Sequence, residues 1–123
     1  MSNKKGQKLW KKAKKIIPGG NMLFSKRSEL LLPEKWISYY SKTKGAYIWD
    51  LDDKKYLDML FFVGTCTLGY NNNKINQHVK NIVDKGVMSS LNCPEEVELA
   101  EKLIELHPWA GMVRFCRSGG EAN

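Results

Sequence analysis

Ser118, Gly119 and Gly120 are the residues whose types and spacing carry the clearest chemistry in this chain. They follow Met112 to Cys116, a short apolar run suited to a buried strand, and precede Glu121 and Ala122, which favour helix. The pattern reads as strand, tight glycine turn, helix N-terminus. Such a turn leaves backbone N–H groups without partners, and the helix dipole adds partial positive charge at the same place. Glycines admit close approach of an anion, the Ser118 hydroxyl adds a donor, and Arg117 raises the local potential. A phosphate suits that geometry. A tight connection with no ligand is the other reading of the same residues.

The elements that must position this turn can be traced along the chain. Leu9, Trp10, Ala13, Ile16 and Ile17 recur at helical spacing between Gln7 and Ile17, with lysines in the other positions. This amphipathic helix stops at Pro18-Gly19-Gly20. Asn21 to Tyr40 lacks a sustained period and reads as an extended arm, apolar enough at Leu30-Leu31-Leu32 and from Trp36 to Tyr40 to suggest cover by a partner domain or subunit. Ala46 to Leu51 and Lys55 to Met59 flank Asp52-Asp53-Lys54 as a β-hairpin. An apolar loop with Gly64 and Gly69 follows. Asn71 to Asn73 then cap a helix that buries Ile75, Val79, Ile82 and Val83 and stops at Gly86. Pro94-Glu95-Glu96 opens a further helix running to Leu106, its inward side traced by Val97, Ala100, Leu103, Ile104 and His107. Glu95 and Glu96 can be read as catalytic carboxylates, but complementing the helix dipole accounts for them without catalysis, and His78 has no metal-binding company.

Composition narrows the class. Hydrophobic residues make up 42% of 123, which suits a globular chain and not a disordered one. No apolar run is long enough to cross a bilayer, so a cytoplasmic location is expected. Cys66, Cys93 and Cys116 are odd in number and without a CxxC pair, which speaks for reduced thiols and against a zinc site. The net charge of +7 equals the lysines at positions 4, 5, 8, 11, 12, 14 and 15. That excess is one helix surface, and no nucleic-acid-reading motif accompanies it.

With the order of elements in place, the sequence resembles the N-terminal part of the class III aminotransferases, enzymes of fold type I that use pyridoxal phosphate. Within them it looks like the glutamate-1-semialdehyde 2,1-aminomutase branch. The resemblance rests on Ile17-Pro18-Gly19-Gly20, on Lys44 to Asp52 with Tyr56-Leu57-Asp58, and on Thr67-Leu68-Gly69-Tyr70. Pro94 to Glu101, Val113-Arg114-Phe115 and Ser118 to Asn123 complete the ordered set. It implies an α/β fold of which two pieces are present. Residues 1–60 form the N-terminal helix, arm and β-hairpin of the small domain, and 61–123 begin the large cofactor-binding domain, truncated. It also implies that Ser118, Gly119 and Gly120 hold the 5′-phosphate of pyridoxal phosphate, in agreement with the reading of the turn. A homodimer, a small amino donor and a keto or aldehyde acceptor are implied as well, with no nucleic acid and no membrane.

The Schiff-base lysine and the aspartate that pairs with the pyridine nitrogen lie downstream in that family, so no catalytic residue is assigned here and the chain is expected to be a fragment. Two departures bear on substrate. The family's serine and arginine for the substrate carboxylate follow Pro-Gly-Gly, where this chain has Asn21 to Arg27, so that Ser25 or Arg27 serves only in a shifted register. An aromatic position of the glycine loop is Val63. A related branch associated with cell-surface polysaccharides, acting on a keto or aldehyde sugar, fits those departures. A reading of another class makes the chain a non-catalytic basic module that binds an acidic partner or nucleic acid through its lysine-rich helix.

Overall fold

The computed structural model describes residues 4–123, so the first three residues of the expected 1–60 region lie outside the described residues. Two compact units divide the chain, Met1–Lys80 and Asn81–Asn123. In the first, helix α1 spans Lys4–Ile16 and buries Gly6, Trp10 and Ala13, one stripe at helical spacing. Lys14 and Lys15 sit in its last turn, where cations suit the dipole. Pro18 disfavours helix at the residue before it, and Gly19 and Gly20 take left-handed φ of 70° and 77°.

Helix α1 docks on the arm that follows it. The Trp10 indole N–H donates to Glu29 Oε1 at 3.0 Å, and Lys14 Nζ donates to the same oxygen at 2.6 Å. Hydrogen bonds from Lys14 and Trp10 hold the Glu29 carboxyl well below its usual range, at about 2. Gln7 Nε2 donates to the Trp36 carbonyl at 2.7 Å, and the Lys5 backbone N–H donates to Asp52 Oδ2 at 3.1 Å. The arm differs from the extended segment expected of it. Phe24–Lys26 and Ser28–Leu30 form two 3-10 turns, and Ser28 is buried with its hydroxyl 3.0 Å from that of Ser38. Short turns satisfy backbone groups locally, which an unpaired extended arm cannot do.

Gly20 seats the helix. A Cβ at this position would stand 2.6 Å from the Trp10 ring, and φ is left-handed there. Gly20→Ala is therefore expected to lower stability by about 2–4 kcal/mol, combining backbone strain with overpacking against a buried ring. Thermal unfolding of the intact protein checks this, and a loss below about 0.5 kcal/mol would show that the ring has room to shift.

Three antiparallel strands follow in the order β1 (Tyr40–Lys44), β2 (Tyr47–Asp50) and β3 (Lys55–Leu57). The expected hairpin is β2–β3, with Asp53 at φ 62° in its turn. Strand β1 adds to it because Gly45, at φ 57°, closes a two-residue connection between Lys44 and Tyr47. The row Lys42, Trp49, Lys55 lies across the sheet, with both lysine Nζ atoms over the Trp49 ring, at 4.9 and 5.5 Å. The alternate row, Thr43, Ile48 and Tyr56, is half-buried.

Asp50 is the buried centre of the hairpin. Its carboxylate accepts from the Asp52 and Lys54 backbone N–H groups, both at 2.9 Å, and from the Tyr56 hydroxyl at 3.0 Å. Burial alone would raise its pKa, but the hydrogen bonds from Lys54, Tyr56 and Asp52 together outweigh it and the pKa is lowered. Gly69 closes the loop back onto the sheet. Gly45 and Tyr70 exchange backbone hydrogen bonds at 2.9 and 2.8 Å, and a Cβ on Gly69 would stand 3.3 Å from Gly45 Cα. The Tyr70 hydroxyl donates to Asp58 Oδ2, and burial together with that carboxylate pushes the phenol up to about 12. Between these anchors, Phe61, Phe62, Val63 and Gly64 run through a left-handed turn.

Helix α2 spans Asn73–Lys85, and Asn72 Oδ1 accepts from the Lys74 N–H at 3.0 Å, as the asparagine run leads one to expect. Gly86, at φ 99°, ends it. Of the stripe expected to be buried, Ile82 is half-buried, while Ile75, Val79 and Val83 are exposed. Helix α3 spans Pro94–Leu106 with proline in its first turn and Glu95 and Glu96 beside it. Its expected inward side is half-covered at Ala100, Leu103 and Ile104, while Val97 and His107 are exposed.

Candidate functional site

The expected strand at Met112–Cys116 is the clearest difference near the site. These residues form no ladder, because a strand requires a neighbour to pair with and the described residues supply none there. Val113, Arg114 and Phe115 instead line a shallow groove with Cys93, Val97 and Ala100 at the start of α3. This packing still delivers the chain to the glycine turn.

Ser118 is the N-cap of helix α4, Gly119–Ala122, with extended φ and ψ of −147° and 159°. Its carbonyl accepts from the Glu121 and Ala122 N–H groups at 3.1 and 3.2 Å. Its hydroxyl makes no cap hydrogen bond. Among the described residues, the N–H groups of Gly119 and Gly120 donate to no acceptor, as the first positions of a helix dictate. Three donors are therefore grouped without internal partners: the Ser118 hydroxyl and two consecutive backbone N–H groups.

The two glycines are not required by the chain's own packing. A Cβ on Gly119 or Gly120 would meet no atom within 4 Å, and neither residue has left-handed φ. The turn is open enough for an anion to approach its backbone N–H groups.

Arg117 plays a narrower part than its position suggests. Its backbone N–H donates to Glu121 Oε2 at 2.7 Å, and a terminal guanidinium nitrogen donates to Glu121 Oε1 at 3.3 Å. The side chain is otherwise 93% exposed. Glu121 thus reaches back across the turn and takes the donor preceding Ser118, leaving the next ones free. The spacing Ser118-x-x-Glu121 is that of a capping box, but neither bond of that motif forms: the Ser118 hydroxyl makes no cap hydrogen bond, and Glu121 takes the Arg117 N–H in place of the Ser118 N–H.

Glu95 and Glu96 are exposed on the first turn of α3, and His78 is exposed on α2. Cys66 is half-buried, and Cys93 and Cys116 are exposed, all as free thiols. No helix among the described residues is long and apolar enough to cross a membrane. Ser25 is exposed, and Arg27 is half-buried beside Gly19.

Comparison with known proteins gives a consistent set of matches. The profile of the class III aminotransferases matches residues 33–123. A glutamate-1-semialdehyde 2,1-aminomutase of Fusobacterium nucleatum is 37% identical over 114 residues, covering 93% of this chain and 26% of that protein. An omega-transaminase from Sphaerobacter thermophilus superposes with a TM-score of 0.83 at 31% identity, covering 95% of this chain and 26% of that one. A transaminase solved with pyridoxal phosphate bound superposes with a TM-score of 0.85 at 28% identity, covering 99% of this chain and 28% of that one. The chain spans about a quarter of the length of these relatives.

Proposed function

Because the chain belongs to the class III aminotransferase family, we propose that it is the N-terminal part of a pyridoxal-phosphate-dependent aminotransferase or aminomutase. It would act on a small amino donor and a keto or aldehyde acceptor. The observation that carries this reading is the Ser118-Gly119-Gly120 turn, whose donors and open space match a phosphate. In this reading the Gly119 and Gly120 N–H groups and the Ser118 hydroxyl hold the 5′-phosphate. When bound, the cofactor would supply an aldehyde carbon able to carry the amino group and an electron-withdrawing ring to stabilise the charge that develops as it moves. This chain's share is to anchor and orient that ring, since the turn fixes the phosphate while Glu121 keeps the Arg117 N–H occupied.

The reading assigns residues 1–60 to the small domain and 61–123 to the opening of the large one. It also makes the protein a homodimer, with Leu30, Leu31 and Leu32, each about half exposed, among the residues available for cover. A cytoplasmic location belongs to the same reading, with three unpaired cysteines suited to a reducing compartment. Amino transfer within one small aldehyde, as the name of the aminomutase relative describes, is the favoured outcome over transfer between two substrates, given 37% identity to that relative.

The test is to purify the intact protein with pyridoxal phosphate, record the cofactor's absorbance after gel filtration, and assay amino transfer with glutamate-1-semialdehyde and with amino acid and keto acid pairs. Retained absorbance with amino transfer is expected. Absence of both would overturn the reading, and retention with transfer confined to paired substrates would replace the aminomutase outcome by transamination.

A further inference from the structure

Arg27 occupies space that a side chain on Gly19 would fill. A Cβ built there would stand 2.3 Å from a terminal guanidinium nitrogen, 2.5 Å from Cζ and 3.0 Å from Nε. The guanidinium is therefore laid on the Gly19 backbone. Its Cζ lies 5.3 Å from the centroid of the Phe24 ring, and its Nε is buried with no hydrogen-bond partner among the described residues. One residue on, the construction repeats, because Gly20 accommodates the Trp10 ring at 2.6 and 2.8 Å from its absent Cβ. Both glycines hold the left-handed φ that frees this surface of the turn.

We infer that Arg27 is the key of a two-glycine latch that fastens α1, the Pro18-Gly19-Gly20 turn and the arm into one unit, and is not a cation held out for a ligand. A ligand cannot reach the Nε atom while it has no accessible surface, so the guanidinium cannot present its full fork of donors. A planar, weakly hydrated guanidinium is suited to lying on a peptide and an aromatic ring, which an ammonium is not. The latch joins residues that no local pattern connects. Arg27 closes on Gly19, Trp10 on Gly20, and Glu29, two residues beyond Arg27, is held by Trp10 and Lys14 of α1. Opening one contact loosens the others, so α1 and the arm release together. This inference stands independently of the proposed activity.

The signature is non-additivity. The guanidinium is the end of a flexible side chain, so a methyl at position 19 displaces it, and the left-handed φ of 70° adds backbone strain of its own. Gly19→Ala and Arg27→Ala thus remove the same contact, and a pair that shares one contact cannot add. Digestion of the intact protein with a lysine-specific protease reads this directly, because Lys8, Lys11, Lys12 and Lys15 of α1 are cut only when the helix opens. Arg27→Ala is expected to speed cleavage within α1 about tenfold in the native background and to leave the rate of the Gly19→Ala protein unchanged. Arg27→Gln, which keeps a flat end group, recovers part of the protection. Unchanged cleavage in Arg27→Ala would overturn the latch, and so would equal acceleration by Arg27→Ala in both backgrounds.

Discussion

Gly120→Asp in the intact protein is expected to lower pyridoxal phosphate affinity by about a hundredfold or more while leaving the fold in place. The second half of that statement follows from the surroundings. A Cβ at position 120 meets no atom within 4 Å and φ is ordinary, so the chain itself tolerates a side chain there. The first half follows from charge. A phosphate that takes the Gly119 and Gly120 N–H groups lies against the helix start, and a carboxylate added there both repels it and competes for the same donors. Loss of two hydrogen bonds to a charged group, at about 1.5–3 kcal/mol each, is enough to reach that factor. Gly120→Ala separates bulk from charge and is expected to cost at most about tenfold. Cofactor absorbance after gel filtration, with thermal unfolding as the check on folding, decides the matter. A Gly120→Asp protein that retains a full complement of cofactor would remove the phosphate from this turn.

That turn was legible because its signal is local. Ser118 and the two glycines are contiguous, and helix-start physics depends on contiguous residues. Helices α2 and α3 were legible for the same reason, through Asn72, Gly86 and Pro94 at their ends. Strand β1 escaped notice because Tyr40-Ser41-Lys42-Thr43-Lys44 has no apolar alternation, and it is a strand only by pairing with β2. Met112 to Cys116 erred the other way, with strand-forming residues but no neighbour among the described residues. Pro18-Gly19-Gly20 was read as a helix stop, which it is. Why it holds two glycines depends on Arg27 and Trp10, eight and ten positions away, and local pattern does not record that.

Asp50→Ala is the second large effect, expected to lower stability by about 3–5 kcal/mol. Asp50 is buried and accepts three hydrogen bonds, two of them from the backbone of its own turn. Truncation leaves the Asp52 and Lys54 N–H groups and the Tyr56 hydroxyl without this acceptor, and Asp53 remains at left-handed φ with less to hold it. The same side chain sets a pH dependence. Its folded pKa lies below the ordinary carboxylate value, so the unfolded chain takes up the proton first as pH falls. The stabilisation is therefore complete above about pH 5, declines as pH drops through about 4 toward the lowered folded value, and is gone below it. Asp50→Asn keeps the shape but cannot ionise, so its loss relative to the native protein should be largest near neutrality and shrink in acid. Amide exchange at Trp49 and Lys55, which pair across β2 and β3, measures the local effect apart from global unfolding. A constant difference between the native and Asp50→Asn proteins from pH 7 to pH 3 would show that the charge on Asp50 contributes nothing and that the hydrogen-bond geometry alone holds the hairpin.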